Sequence, residues 1–105
     1  HRERSLGLDL LVDTGATYTL LPAEVVARLE LPTLEERLAE LASGERVVYR
    51  VGEARVRLGD RERTTVFLAG PPGCRALLGA VTLEQFGLAA DPVHQRLFPV
   101  PALLV

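Results

Sequence analysis

The sequence contains few of the residues that build metal centres or thiol active sites. Of its 105 residues one is a cysteine, Cys74, and two are histidines, His1 and His94. A single cysteine excludes an internal disulfide and a thiolate metal cluster. No spacing in the sequence suggests that Cys74 pairs with either histidine, so a Cys-His nucleophile is strongly disfavoured.

Long apolar runs and clusters of basic residues are also missing. No apolar run approaches the roughly 20 residues that span a bilayer, and no signal peptide is visible. The formal net charge is −2, and the basic residues, all of them arginine, are scattered singly without interleaved aromatics. These absences give no reason to expect a membrane or nucleic-acid partner, and we predict a cytoplasmic protein.

The composition is typical of one folded domain. Hydrophobic residues make up 48% of the chain and charged residues 25%, which indicates a globular rather than a disordered protein. A chain of this length has room for one core. We therefore predict a single domain over residues 1–105.

One polar triplet lies between two apolar segments. The apolar run at residues 8–12 stops at Asp13-Thr14-Gly15, and apolar residues resume at Leu20. A run that ends at such a turn signal predicts a buried strand leading into a tight loop. We therefore expect Asp13 to be buried, which is costly for a carboxylate unless it is hydrogen-bonded, paired or protonated.

The residues of this triplet allow two interpretations. Asp and Thr side chains often bond nearby backbone N–H groups, and Gly15 supplies permissive dihedrals, so Asp13 could simply close its own turn. Alternatively, Asp13 is catalytic. An isolated Asp-Thr-Gly favours the first interpretation, whereas its position at the end of an apolar strand favours the second.

Two motifs carry a resemblance to a known family. Residues 11–17 (LVDTGAT) resemble the catalytic loop of the retropepsin-like aspartic proteases, especially the short single-domain prokaryotic members. Residues 76–83 (ALLGAVTL) resemble the apolar strand and short helix that brace that loop, and a stretch around Gly44 stands where the family carries its flap. Ala80 departs from the retroviral members, which often carry a dimer-bracing charged residue there.

The resemblance implies an all-β fold, a retropepsin-like half-barrel with one or two short helices, assembled as a symmetric homodimer. It implies an aspartic endopeptidase that needs no metal or cofactor and acts on an extended peptide or protein substrate. The site residues that it implies are Asp13 as the catalytic group, Thr14 and Gly15 as its support, and Ala16, Gly44 and Leu78 as substrate contacts.

The number of Asp-Thr-Gly motifs in the sequence predicts a dimer. Hydrolysis by paired carboxylates needs two of them a few ångströms apart and sharing one proton, so that one acts as acid and the other as base. The sequence has one Asp-Thr-Gly. A complete pair therefore needs two chains on a two-fold axis, each contributing Asp13. The alternatives are a catalytically silent peptide-binding or dimerisation domain and a purely structural domain.

One segment has an ambiguous secondary structure. Residues 33–42 combine a capping-box pattern with apolar residues at helical spacing, which favours a helix. The resemblance makes the same segment the first arm of a flap hairpin that turns at Gly44. Residues 45–51 alternate as a half-buried strand does and need a partner, so we predict the hairpin.

The remaining pattern predicts strands and short helices. Strands are predicted at residues 6–12, 18–21, 53–58 and 64–68, and helices at residues 23–29, after Pro22, and 81–86. Residues 97–105 form an apolar tail broken by two prolines. We predict that this tail is buried against another chain.

Overall fold

The computed structural model describes residues 5–94, 96–102 and 104, so the ends of the predicted domain and of the apolar tail lie outside the described residues. In chain order the elements are β1 (Leu11–Val12), β2 (Thr19–Pro22), α1 (Ala23–Arg28), β3 (Thr33–Glu40), β4 (Arg46–Leu58), β5 (Arg61–Gly70), β6 (Leu77–Leu78), α2 (Ala80–Gln85), β7 (Leu88–Asp91) and β8 (Arg96–Pro99). The prediction of a mostly β chain with short helices is confirmed for this part of the sequence.

Six of the strands form one mixed sheet in the order β1-β6-β2-β5-β4-β3. The pairs β1/β6 and β2/β5 are parallel, whereas β2/β6, β3/β4 and β4/β5 are antiparallel. The strand that leads to Asp13 therefore lies at one edge of the sheet, and β3 lies at the other.

The ambiguous segment is a strand, and the hairpin prediction is confirmed. β3 pairs antiparallel with β4, with Leu38 opposite Val48, and the chain turns at Gly44 between them. Tertiary pairing here overrides the local preference for a helix. β4 also continues without interruption through both predicted strands, because a buried glycine, Gly52, lies at their junction. A Cβ at Gly52 would lie 2.6 Å from the Pro32 carbonyl oxygen, so the glycine permits close packing.

The prediction of a buried strand at residues 6–12 is wrong. β1 has two residues, and Leu11 remains 47% exposed. The Leu11 N–H donates to the carbonyl oxygen of Ala76 (3.0 Å), but β6, the strand that pairs with β1, is itself only two residues long. Pairing within a sheet satisfies backbone groups but does not cover the side chains on its faces, so this edge strand leaves Leu11 partly open to solvent.

The core lies where β2, β5 and the two helices meet. Its buried apolar side chains include Leu21, Val51, Phe67, Leu83 and Phe86. Both helices begin next to the residues that the sequence indicated, α1 after Pro22 and α2 after Gly79. No helix in the described ranges is long and apolar enough to cross a bilayer.

The beginning of the apolar tail pairs within the chain. β8 is antiparallel to β7, with Leu88 opposite Pro99 and Asp91 opposite Arg96. The backbone of this strand therefore already has a partner along one edge, and burial of the tail against another chain stays a prediction. Phe98 and Val100 nevertheless keep large exposed surfaces.

Candidate active site

The loop around Asp13 is a tight turn held by its own backbone. Asp13 follows β1, and its N–H donates to the carbonyl oxygen of Leu78 (3.1 Å). The N–H of Ala16 donates to the Asp13 carbonyl oxygen (3.1 Å), and the N–H of Gly15 donates to Asp13 Oδ1 (3.0 Å). These contacts fix both the backbone and the carboxylate of Asp13.

The expectation that Asp13 is buried is wrong. Its side chain is half-buried, and Thr14 and Gly15 beside it are exposed. The carboxylate follows a partly exposed edge strand, so apolar residues do not enclose it. The Gly15 contact is the turn-closing bond of the non-catalytic interpretation, whereas the partial exposure is what a catalytic carboxylate needs to reach a substrate.

The second motif lies directly against this loop. Three consecutive N–H groups at the start of α2 donate to the loop and to Thr19, the first residue of β2. They are Gly79 to Thr19 Oγ1 (3.1 Å), Ala80 to the Ala16 carbonyl oxygen (2.8 Å) and Val81 to the Thr17 carbonyl oxygen (2.9 Å). A Cβ at Gly79 would lie 2.3 Å from the carbonyl carbon of Tyr18, so only glycine allows this approach. The two motifs therefore form one packed unit.

A groove of about 580 Å³ runs beside Asp13. Its lining comes from the loop (Asp13 and residues 15–18), from the hairpin (residues 37–42) and from the sheet between them (Leu20, Tyr49, Leu68 and Leu77). Both edges of the sheet thus contribute to one groove, which means that the sheet curves around it. Most of the side chains on its floor are apolar, so the groove suits an extended chain with apolar side chains.

The structure places the six residues singled out in the sequence in different surroundings. Asp13, Gly15 and Ala16 line the groove, whereas Thr14 is exposed beside it. Gly44 lies exposed at the hairpin turn with φ +89°, outside the groove lining. Leu78 is 3% exposed and packs in the core, and its neighbour Leu77 faces the groove in its place.

A contact that the sequence analysis missed joins the hairpin to the loop. Arg37 Nη1 donates to the Tyr18 hydroxyl (2.7 Å), and the Arg37 guanidinium carbon lies 5.3 Å from the Tyr18 ring centroid. The Glu35 carboxylate lies 3.5 Å from the same guanidinium. Arg37 and Tyr18 are 19 residues apart, so no local pattern could reveal the pair.

Other reactive groups lie outside the groove lining. Burial raises the pKa of the Cys74 thiol, and the nearby Glu24 carboxylate raises it further, so the thiolate is disfavoured. His94 bonds to Asp91 (2.7 Å) in the turn between β7 and β8. No group of three or more His, Cys, Asp or Glu side chains in the described part of the chain could hold a metal ion.

Comparison with known families agrees with the geometry. A family model described as aspartyl protease matches residues 5–86, which include the loop, the hairpin and the bracing motif. The family resemblance noted in the sequence is thereby confirmed. No curated protein matches the chain.

Proposed function

Because the chain belongs to the aspartyl protease family, we propose that it is an aspartic endopeptidase whose active site combines the Asp13 carboxylates of two subunits. The observation that carries this proposal is the position of Asp13. Its carboxylate is held by Gly15 on a braced turn and borders a groove that the hairpin flanks on the other side.

The proposed chemistry uses one protonated and one ionised carboxyl. The ionised Asp13 takes a proton from a water molecule, whose oxygen attacks the peptide carbonyl carbon, while the protonated Asp13 of the other subunit donates to the carbonyl oxygen. Collapse of the tetrahedral intermediate breaks the C–N bond as the leaving nitrogen takes the proton that the first Asp13 received from water. A hydroxyl of the intermediate returns a proton to the second Asp13, which restores the starting state of the pair. Like charges so close cannot both ionise, which keeps one proton on the pair.

The surface around Asp13 supports a dimer with the loop at its centre. Thr14 is exposed, and so are the apolar side chains of Leu8 and Leu11 just before the loop. Burying these side chains against a second chain removes apolar surface from water. In such a dimer Thr14 of each chain bonds across the axis and holds the two carboxylates coplanar, while Gly15 lets the substrate backbone approach.

The proposed substrate is an extended peptide that lies along the hairpin. β3 is an edge strand, and residues 37–42 line the groove as a continuous segment. A peptide placed there can add strand-type hydrogen bonds to that edge. We propose Ala16 and Leu77 as side-chain contacts, with Leu77 in place of the buried Leu78, and closure of the hairpin at Gly44 over the bound chain.

A second candidate is a domain that binds peptides or dimerises without hydrolysis. The hydrogen bond from the Gly15 N–H to Asp13 Oδ1 favours this candidate, because it gives the Asp13 carboxylate a structural role in closing the turn that is independent of catalysis. This candidate predicts that the wild-type chain binds a transition-state mimic of peptide hydrolysis no better than a substrate peptide.

The decisive test compares Asp13→Asn with the matched control Asp9→Asn. The asparagine side chain keeps an oxygen that can accept from the Gly15 N–H, so the fold should survive, but an amide can serve as neither acid nor base. Cleavage of a peptide library should be lost in Asp13→Asn and unchanged in Asp9→Asn, with similar melting temperatures. Wild-type-like hydrolysis by the Asp13→Asn chain excludes Asp13 as the catalytic group. An absence of hydrolysis in the wild-type chain as well as in both variants favours the silent domain.

A further inference from the structure

Three threonine hydroxyls form a buried chain behind the Asp13 loop. Thr19, Thr65 and Thr82 are 1%, 1% and 0% exposed, and they come from β2, β5 and α2. Thr82 Oγ1 lies 2.6 Å from Thr19 Oγ1 and 2.7 Å from Thr65 Oγ1. A polar atom in such a place destabilises the fold unless it is hydrogen-bonded, so each hydroxyl must have a partner.

The partners fix the direction of every bond in the chain. The carbonyl oxygen of Val66 can only accept, so Thr65 donates to it (3.4 Å) and must accept from Thr82. Thr82 has then used its proton and accepts from Thr19, which in turn accepts from the N–H of Gly79 (3.1 Å). Four consecutive hydrogen bonds therefore run one way, from Gly79 to Val66.

The series of hydroxyl hydrogen bonds begins at the backbone segment that holds the Asp13 loop. Gly79 is the first of the three N–H donors at the start of α2, and the two that follow bind the carbonyl oxygens of Ala16 and Thr17. Ala16 in turn donates to the carbonyl oxygen of Asp13. A shift of α2 relative to β2 and β5 must therefore move the turn that carries the Asp13 carboxylate.

Shape alone does not explain threonine at these positions. Valine has almost the same shape, and three valines would fill this part of the core without burying hydroxyls. Apolar packing tolerates small sliding of one element on another, whereas a fully satisfied hydroxyl chain allows one arrangement. The hydroxyls therefore specify where α2 lies rather than how much volume it fills.

From this geometry we propose that Thr82 is a positioning residue of the active site. It contacts neither groove nor substrate, and it acts by fixing the start of α2 against the Asp13 loop. The inference rests on the proposed function, because two carboxylates on separate chains share a proton only if each loop is held accurately. A misplacement of about 1 Å can reduce a rate roughly 100-fold.

The test uses Thr82→Val, which removes the hydroxyl, and Thr82→Ser, which keeps it. We expect Thr82→Val to lower kcat by about 100-fold with little change in KM, as a misplacement of the carboxylates would. It should also change the pH profile of kcat, because the geometry of the carboxylate pair sets that profile. Thr82→Ser should restore most of kcat and the wild-type profile.

A control separates positioning from stability. Val25→Ala shortens a buried side chain of α1 that is not in the hydroxyl chain, so it should lower the melting temperature and leave kcat and the pH profile unchanged. If Thr82→Val behaves like Val25→Ala, the proposal is overturned. If Thr82→Val does not fold, Thr65→Val takes its place, where a lowered kcat supports the proposal and a wild-type kcat overturns it.

Failure of the proposed function gives a different result. If the wild-type chain hydrolyses no peptide, the protease itself is excluded, and a positioning role in catalysis is excluded with it. If the wild-type chain is active and the valine variant matches it, only the role of Thr82 is excluded.

Discussion

Arg37 and Tyr18 form a bond between the hairpin and the loop, since Arg37 Nη1 donates to the Tyr18 hydroxyl at 2.7 Å. Both residues line the groove, and Tyr18 follows the turn that carries Asp13. The bond therefore holds the two walls of the groove at one separation. A peptide that enters from this side must displace it or pass beside it.

Tyr18→Phe should loosen the hairpin. The variant keeps the ring and loses the hydroxyl, and a hydrogen bond of about 1 kcal/mol corresponds to a roughly fivefold change in local opening. Hydrogen exchange of the β3 amides should speed up by about that factor, with little change in the global melting temperature. The control is Arg46→Gln, which breaks the Arg46–Glu40 pair within the hairpin and leaves the link to the loop. Equal effects of the two variants would contradict the prediction.

Gly79→Ala should destabilise the fold strongly. The new Cβ would lie 2.3 Å, 2.5 Å and 2.7 Å from backbone atoms of Tyr18 and Thr19, which cannot move aside like the end of a flexible side chain. We expect a loss of about 3 kcal/mol in the free energy of unfolding, the upper part of the range for overpacking. Urea denaturation measures it. Gly7→Ala is the control, because nothing lies within 4 Å of a Cβ there, and an equal loss in both variants would refute the argument.

The sequence predicts those parts of the fold that depend on local chemistry. Pro22 and Gly79 mark the helix starts, and the Asp13 triplet marks the tight turn, because dihedral preferences and short-range hydrogen bonds decide these features. The hairpin is predicted only because the alternating strand after Gly44 needs a partner. The helical spacing of the apolar residues in β3, taken alone, predicts a helix.

The features that the sequence does not reveal depend on distant contacts. The apolar run before Asp13 predicts a buried strand, yet this run lies at the edge of the sheet and Leu11 is 47% exposed. Leu77 and Leu78 are identical side chains on opposite faces of β6, and the register of this strand in the sheet decides which of them faces the groove. The hydroxyl bond between Thr19 and Thr82 spans 63 residues, so nothing near either threonine predicts it.

Asp91 should make the β7–β8 turn sensitive to acid. Its carboxylate accepts from the His94 ring and from the N–H groups of His94 and Val93. The His94 ring bond, followed by the His94 backbone bond, lowers the pKa of Asp91 below its usual 3.8. A lowered pKa means that the ionised form is favoured in the folded state. Its stabilisation is therefore present above the usual pKa and lost as the pH falls through the lowered one.

Asp91→Asn tests this pH dependence. The variant should melt below the wild-type chain near neutral pH, and the difference should shrink as the pH falls through the lowered pKa of Asp91, because the wild-type carboxyl is then also neutral. Melting curves of both chains across the acid range measure it. A difference that stays constant down to the most acidic sample would contradict the assignment.

Leu11→Ser should weaken the proposed dimer more than the fold of each chain. Leu11 is 47% exposed in the single chain, so a polar residue there costs the isolated fold little. If the side chain is buried between subunits, association buries about half of each Leu11, and the dimer contains two copies. The substitution should therefore weaken association by about 1.5–3 kcal/mol, which is at least a tenfold increase in the dimer dissociation constant. Sedimentation measures this constant. Peptide hydrolysis should fall at low concentration and recover at high concentration, and an unchanged constant would exclude Leu11 from the interface.

Mixing wild-type chains with Asp13→Asn chains tests the shared pair of carboxylates directly. A heterodimer has one competent carboxyl, and neither partner can supply both the acid and the base. With about a tenfold excess of the variant, random pairing leaves roughly one wild-type chain in ten with a wild-type partner, so the rate per wild-type chain should fall about tenfold. The same excess of Asp9→Asn chains should not inhibit, because those chains keep Asp13. If the rate per wild-type chain is unchanged by the excess of Asp13→Asn chains and the protein sediments as a monomer, one Asp13 is sufficient. The two-chain active site would then be wrong.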